Sequence, residues 1–251
     1  MRIRSMAAAF TGALTLSALL APASQAAGSG DTTITDVVVN GGAELALGPT
    51  APKTFKVSVT AQDDSGIKEM KLRVSLPSYI YHSSDRGLSC VANSATTTTC
   101  TGSWTVDTSN FYGNGPADDH WFVNANATAK DGDWFDTDRA ATFTVRRLAR
   151  LTADAGPEPV GRNASLTVTG NLSRADWKTH KYGGYSGRSV NLQFRAAGTS
   201  TYKTVKTVTS GSGGAVKTTV KATADGYWRW AFAGNSTTST ARATGDYVDV
   251  R

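Results

Sequence analysis

Period-two alternation of apolar and polar residues runs through most of the chain. Phe55, Val57 and Val59 alternate within Thr54 to Val59, Asp63-Asp64-Ser65-Gly66 supplies a turn, and Met70, Leu72, Val74 and Leu76 alternate again. That pattern predicts two adjacent strands. Trp121, Val123, Ala125 and Ala127 form another stripe ahead of the turn-rich Asp131-Gly132-Asp133, and Ala141 to Val145 reads as a closing strand with Phe143 and Val145 on one face. With Ile34 to Asn40 and a hairpin around Cys90 and Cys100, about seven strands separated by turns every 8 to 12 residues are available, the rhythm of an immunoglobulin-like sandwich.

The second half alternates more regularly. Leu166 and Val168, then Val190, Leu192 and Phe194, then Val205 and Val208, Val216 and Val220, and finally Tyr247 to Val250 are separated by Gly-rich turns such as Gly211-Ser212-Gly213-Gly214. In Asp225 to Phe232, period two places Trp228, Trp230 and Phe232 on one face and Tyr227 with Arg229 on the other. Burying the tryptophan face would supply most of that half's core.

Composition supports an all-β reading. Only 3 Glu stand against 17 Asp, with 35 Thr and 25 Gly, a mixture that favours strands and turns and disfavours helices. A helical bundle is excluded. The 251 residues suit one large or two ordinary domains, and 39% hydrophobic residues with six Trp are enough for packed interiors.

The N-terminus reads as an export signal: Arg2 and Arg4, an apolar stretch from Met6 to Leu20, Ala21-Pro22, then small residues, with cleavage expected after Ala26. No apolar run of spanning length follows, so no membrane span is expected in the mature chain. Residues 27–147 carry 10 Lys or Arg against 14 Asp or Glu, a net of −4, and residues 148–251 carry 14 against 6, a net of +8. The expected organisation is therefore a signal over 1–26, an acidic sandwich over 27–147 and a basic sandwich over 148–251, joined by a protease-accessible linker at Arg146 to Arg150.

The run from Leu166 through Gly226–Gly234 to Val250 resembles an immunoglobulin-like domain common at the C-termini of exported actinobacterial proteins. The first half, with Ala61-Gln62-Asp63-Asp64-Ser65-Gly66-Ile67, is similar to a companion sandwich of the same uncharacterised proteins, some of which carry a loose calcium-binding label. The resemblance implies fold and names no ligand.

Candidate chemistry is sparse. No nucleophile elbow, zinc helix or phosphate loop occurs, and His82, His120 and His180 lie in separate segments, so a hydrolase would need a dispersed site. Cys90 and Cys100, ten apart in an exported chain, are expected to form a disulfide. Asp131, Asp133, Asp136 and Asp138 offer four carboxylates in eight residues, oxygen ligands suited to Ca²⁺, against the plainer reading that Asp and Gly make tight turns there.

The basic half, with Lys203, Lys206, Lys217 and Lys221, suits an anionic cell-wall polymer or extracellular polysaccharide, partners more accessible to an exported protein than nucleic acid. Trp177, Lys178, His180, Lys181, Tyr182, Tyr185 and Arg188 form an aromatic and cationic loop at one end of a sandwich, expected either to bind a ligand or to plug the core. The leading expectation is an exported, non-catalytic binding or structural module; the alternatives are a calcium-stabilised structural protein and a hydrolase.

Overall fold

The computed structural model describes residues 26–76, 79–84 and 87–251, with only the backbone path given for 79–84. The expected signal segment lies outside these residues, apart from Ala26, as does the side chain of His82. No α-helix occurs among the described residues, and none of their helical turns is long and apolar enough to cross a membrane.

The first half contains β1 (Ala26–Ser29), β2 (Thr33–Val39), β3 (Leu45–Leu47), β4 (Lys53–Gln62), β5 (Ile67–Leu76), β6 (Tyr79–Ser84), β7 (Ser89–Ala92), β8 (Thr97–Val106), β9 (Trp121–Ala129), β10 (Trp134–Phe143) and β11 (Val145–Arg147). Strands β2-β4-β8-β7 make one sheet and β1-β10-β9-β5-β6 the other. With β2, β4, β5, β7, β8, β9 and β10 taken as strands A to G, the sheets are ABED and CFG, the arrangement of an immunoglobulin-like sandwich. The predicted alternation is what drives the two sheets together: Phe55, Val57, Val59, Leu72, Val74, Trp104, Trp121 and Val123 are all buried between them. Cys90 and Cys100 sit directly opposite each other on β7 and β8 and form the expected disulfide.

The second half contains β12 (Ala149–Leu151), β13 (Asp154–Gly156), β14 (Ser165–Asp176), β15 (Lys181–Gly184), β16 (Ser189–Ala196), β17 (Lys203–Thr209), β18 (Ala215–Lys221), β19 (Gly226–Phe232), β20 (Ala241–Arg242) and β21 (Asp246–Val248). Strands β12 and β13, β14 and β18 form one sheet, extended by β15; β17, β16 and β19, with β20 and β21 along the far edge of β19, form the other. Leu166, Val168, Val190, Leu192, Trp230 and Phe232 are buried between the sheets, as the alternation requires. Gly170 permits a close approach in this core, since a Cβ there would lie 2.8 Å from the Trp230 ring, whose Nε1 donates to the Thr169 carbonyl at 3.0 Å. Val205 departs from expectation. It lies three residues from the core-packed Val208, so alternation sets it on the opposite face of this edge strand, where it is 48% exposed.

The junction also differs from the expected open linker. Val145, Arg146 and Arg147 pair in parallel with Leu45, Ala46 and Leu47, and Ala149, Arg150 and Leu151 pair with Arg174, Ser173 and Leu172. The intervening Leu148 donates its N–H to the Leu47 carbonyl and accepts from Ala175 N–H, both at 2.8 Å. Arg147 is 7% exposed; its N–H reaches the Thr237 carbonyl and its own carbonyl accepts from Ser239. A segment whose backbone groups are paired on both sides offers a protease no extended, accessible stretch.

Candidate functional site

The aromatic end loop divides into residues that serve the core and residues that face solvent. Trp177 is fully buried, and it packs in the core of the first sandwich rather than its own, its ring 5.3 Å from Phe111 in an edge contact. Its Nε1 donates to the Gly48 carbonyl at 2.9 Å, and its N–H to Asn114 Oδ1 at 2.9 Å. Tyr185 is 6% exposed, lies in the second core against Phe232, and accepts a hydrogen bond from Asn235 at its hydroxyl. Neither ring has a free face, so the expectation that Trp177 and Tyr185 stack on a ligand is corrected: both are core residues.

Tyr182 is half-buried with the Arg150 guanidinium 3.7 Å from its ring centre. Lys178, His180, Lys181 and Arg188 are exposed, and the Arg188 guanidinium lies over the Tyr185 ring, 4.6 Å from its centre. The seven residues thus form no single surface. Trp177 bridges to the first sandwich, Tyr185 packs in the second, and the charged side chains lie outside.

The expected metal set is also redistributed. Strand β10 starts at Trp134, so Asp136 and Asp138 belong to a sheet face and Asp131 and Asp133 to the β9–β10 turn. The carboxylates of Asp131 and Asp133 meet that of Asp63, and those of Asp31 and Asp64 also meet Asp63, each set of three having ligand oxygens within 4.8 Å of one another. The expected quartet is therefore corrected to a group from three turns at one end of the sandwich. Asp63 is 1% exposed, and the Ser65 and Thr32 hydroxyls that donate to it at 2.6 Å hold it below the usual carboxylate value. Asp31 is pushed up, first by loss of water around it and then by the charges of Asp63 and Asp64. Gly30 makes the crowding possible: its φ is +73°, and a Cβ there would fall on the Asp133 carboxylate. Oxygen donors in this number suit a hard cation such as Ca²⁺.

Of the other predicted residues, His120 and His180 are exposed. Lys203 and Lys206 lie on β17 and Lys217 and Lys221 on β18, the two edge strands on one side of the second sandwich. Lysines there discourage pairing with another chain's edge, which accounts for them structurally.

A site that the sequence reading did not assemble lies on the outer face of the sheet β17-β16-β19-β20. Across β16 and β19, Arg195 is opposite Tyr227 and Gln193 opposite Arg229; across β19 and β20, Ala231 is opposite Arg242. Arg195, Arg229 and Arg242 therefore occupy successive diagonal positions, with steps of about 7 to 8 Å. Tyrosines support the first two. Arg229 lies 3.6 Å and Arg195 5.3 Å from the Tyr202 ring centre, Arg195 lies 4.0 Å from Tyr227, and Tyr227 meets Tyr247 edge-on at 5.2 Å.

Arg229 also donates from Nε to Gln193 Oε1 at 2.9 Å, which fixes the guanidinium plane. Burial holds Arg229 below the ordinary guanidinium value; the Tyr202 hydroxyl opposes this, while the positive charges of Arg242 and Arg195 add to it. No carboxylate pairs with any of the three among the described residues. Arg195 uses one Nη1 donor on the Thr199 carbonyl, and Arg229 uses Nε on Gln193; the remaining guanidinium N–H groups can take phosphate or carboxylate oxygens.

No family model matches the chain, and no curated protein matches it. Among solved structures, the full ectodomain of mouse nectin-like molecule 4 (Ig1–Ig3) aligns at 13% identity and a TM-score of 0.27, over 86% of this chain and 64% of that one. The D00–D0 domain of intimin aligns at 13% identity and a TM-score of 0.28, over 85% of this chain and 99% of that one. At these scores the likenesses assign no function; the immunoglobulin-like description rests on the strand order above.

Proposed function

We propose that the protein is an exported, non-catalytic binding module that docks on an anionic cell-envelope polymer through the Arg195–Arg229–Arg242 face of its basic sandwich. The observation that carries this reading is the line of three arginines, two of them stacked on tyrosine, none of them in an ion pair with a carboxylate among the described residues. Such an array attracts a chain with repeated negative charges, and Tyr202 and Tyr227 hold Arg229 and Arg195 ready for it. The Cys90–Cys100 disulfide suits an oxidising, non-cytosolic setting, in keeping with the expected signal.

The test is retention of the mature protein on purified anionic wall polymer as salt is raised. Retention at low ionic strength that falls steeply with salt, and that is lost in an Arg195→Ala/Arg229→Ala double variant, supports the reading. Retention unchanged in that variant, or absent at low salt, overturns it.

A second reading, Ca²⁺ held by Asp31, Asp63, Asp64, Asp131 and Asp133, is favoured by the convergence of three turns on the buried Asp63. Titration of the chelator-treated protein with Ca²⁺ tests it, and a calorimetric trace without heat of binding removes it.

A further inference from the structure

The outer face of the other large sheet, in the first sandwich, carries a second concavity of different character. On β5, Lys71 and Arg73 point outward; on β9, Asn124 and Asn126; on β10, Asp136 and Asp138. Together they line a groove of about 340 Å³. Register places them in rows: Lys71 is opposite Asn126, which is opposite Asp136, while Arg73 is opposite Asn124. The cations form one wall, the carboxylates the other, and the two amides the floor.

The walls stand two strand spacings apart, about 10 Å. No ion pair crosses the groove among the described residues, and the one contact of a wall cation is Lys71 with the exposed Glu69 at 3.4 Å. Part of the lining is fixed in advance. Asn124 accepts at Oδ1 from the Ser75 hydroxyl at 2.9 Å and donates from Nδ2 to the Asp138 backbone carbonyl and Oδ1 at 2.9 and 3.0 Å. The register shift between Thr137 and Ala141 bends β10 where Asp138 joins this contact. Arg73, Asn126 and Asp136 make no side-chain hydrogen bond among the described residues, so donors and acceptors remain open on all three sides. On the same face Trp134, 37% exposed, stands two residues before Asp136, and Phe122, under the Arg139 guanidinium at 4.4 Å, stands two residues before Asn124. Trp134 thus flanks the groove at one end, while Phe122 at the other is capped by Arg139.

From this arrangement we infer that the groove is a binding site for a neutral saccharide chain. Two cations and two carboxylates balance, so the lining has no net charge to draw in a polyanion or a polycation, and an uncharged ligand with donors and acceptors suits it better. Hydroxyl groups both donate and accept, and they are the groups that can satisfy a carboxylate wall, a cationic wall and an amide floor at once. The flat, apolar faces of sugar rings match the exposed Trp134. The site is separate from the arginine face of the second sandwich and does not depend on that assignment.

The experiment is affinity gel electrophoresis of the mature chain in gels cast with a soluble neutral β-glucan, mannan or galactan, with polygalacturonate as the anionic counter-probe. Retardation by at least one neutral polymer, insensitive to added salt, is expected. Asn126→Ala and Asp136→Ala should each weaken it roughly tenfold through loss of one or two hydrogen bonds. Trp134→Ala should weaken it too, while Arg195→Ala/Arg229→Ala should leave it unchanged. Because these positions are on the surface, unaltered thermal melts will show that the variants fold. Absence of retardation in all three neutral gels, retardation only by polygalacturonate, or retardation that survives both Asn126→Ala and Asp136→Ala overturns the inference.

Discussion

Trp177 belongs by sequence to the second sandwich and by packing to the first, its indole Nε1 hydrogen-bonded to the Gly48 carbonyl at 2.9 Å. The same carbonyl accepts from the Thr108 hydroxyl at 2.9 Å, so Gly48 remains paired if the tryptophan is removed. Truncation to Trp177→Ala should then cost chiefly the buried ring, about 3 to 5 kcal/mol. Calorimetry should show one cooperative transition for the native chain and two for the variant, as the sandwiches cease to support each other. A single transition in both would mean that β11 and β12 suffice to couple them.

Trypsin should fail to cut the native chain at Arg146, Arg147 or Arg150. The backbone there is paired on both sides, and Arg147 also donates from Nε to the Ala175 carbonyl at 2.6 Å. Peptide mapping after brief digestion checks this; early cleavage in this segment would show that the joint opens.

The joint should weaken in acid. Burial pushes the Asp176 carboxyl up, but hydrogen bonds from Thr179 N–H, Asn114 Nδ2 and Lys178 N–H and the charge of Arg147 outweigh it and hold the group below its ordinary value of 3.8. A carboxylate depressed in the folded state contributes stability above its unfolded value and loses that contribution as pH falls through the folded one. Melting temperatures should therefore drop below about pH 4, and Asp176→Asn should flatten that dependence. Equal acid sensitivity in the two proteins would place the effect elsewhere.

Reduction of Cys90–Cys100 should destabilise the first sandwich by roughly 2.5 to 3 kcal/mol on the loop-entropy model. The bond closes a short β7–β8 hairpin at directly opposed residues. Denaturant melts with and without reductant measure the difference, and coincident melts would contradict it.

If Ca²⁺ occupies the three-turn acidic end, millimolar calcium should raise the melting temperature by binding the folded state alone. Asp63→Asn should abolish the shift, whereas Asp138→Asn should preserve it. Loss of the shift in Asp138→Asn instead would restore the ligand set expected from linear spacing.

Alternation was sufficient to read the strands, because Phe55, Val57 and Val59 or Trp228, Trp230 and Phe232 can satisfy burial only by facing a second sheet. It was sufficient, too, to place Tyr227 and Arg229 together on the outer face. Arg195, Arg242 and Tyr202 were not legible beside them, since strand register and not spacing brings Arg195 opposite Tyr227, 32 positions away. The acidic group misled for the same reason: Asp136 and Asp138 are near Asp133 along the chain, but once β10 begins they take the sheet face, while Asp63 arrives from a distant turn. Trp177 looked like a loop aromatic because no local pattern reveals that its cavity belongs to the neighbouring sandwich.

The parallel pairing of β3 with β11 has a mechanical meaning. Tension on the two ends would draw β3 toward its N-terminus and β11 toward its C-terminus, so the bonds between Leu45–Leu47 and Val145–Arg147 would be strained together instead of unzipping one by one. The second sandwich closes in the same sense, with Val160 and Val250 in a parallel bridge and Arg162 N–H donating to the Arg251 carbonyl. A chain anchored at one end and pulled at the other would meet two such shear clasps in series.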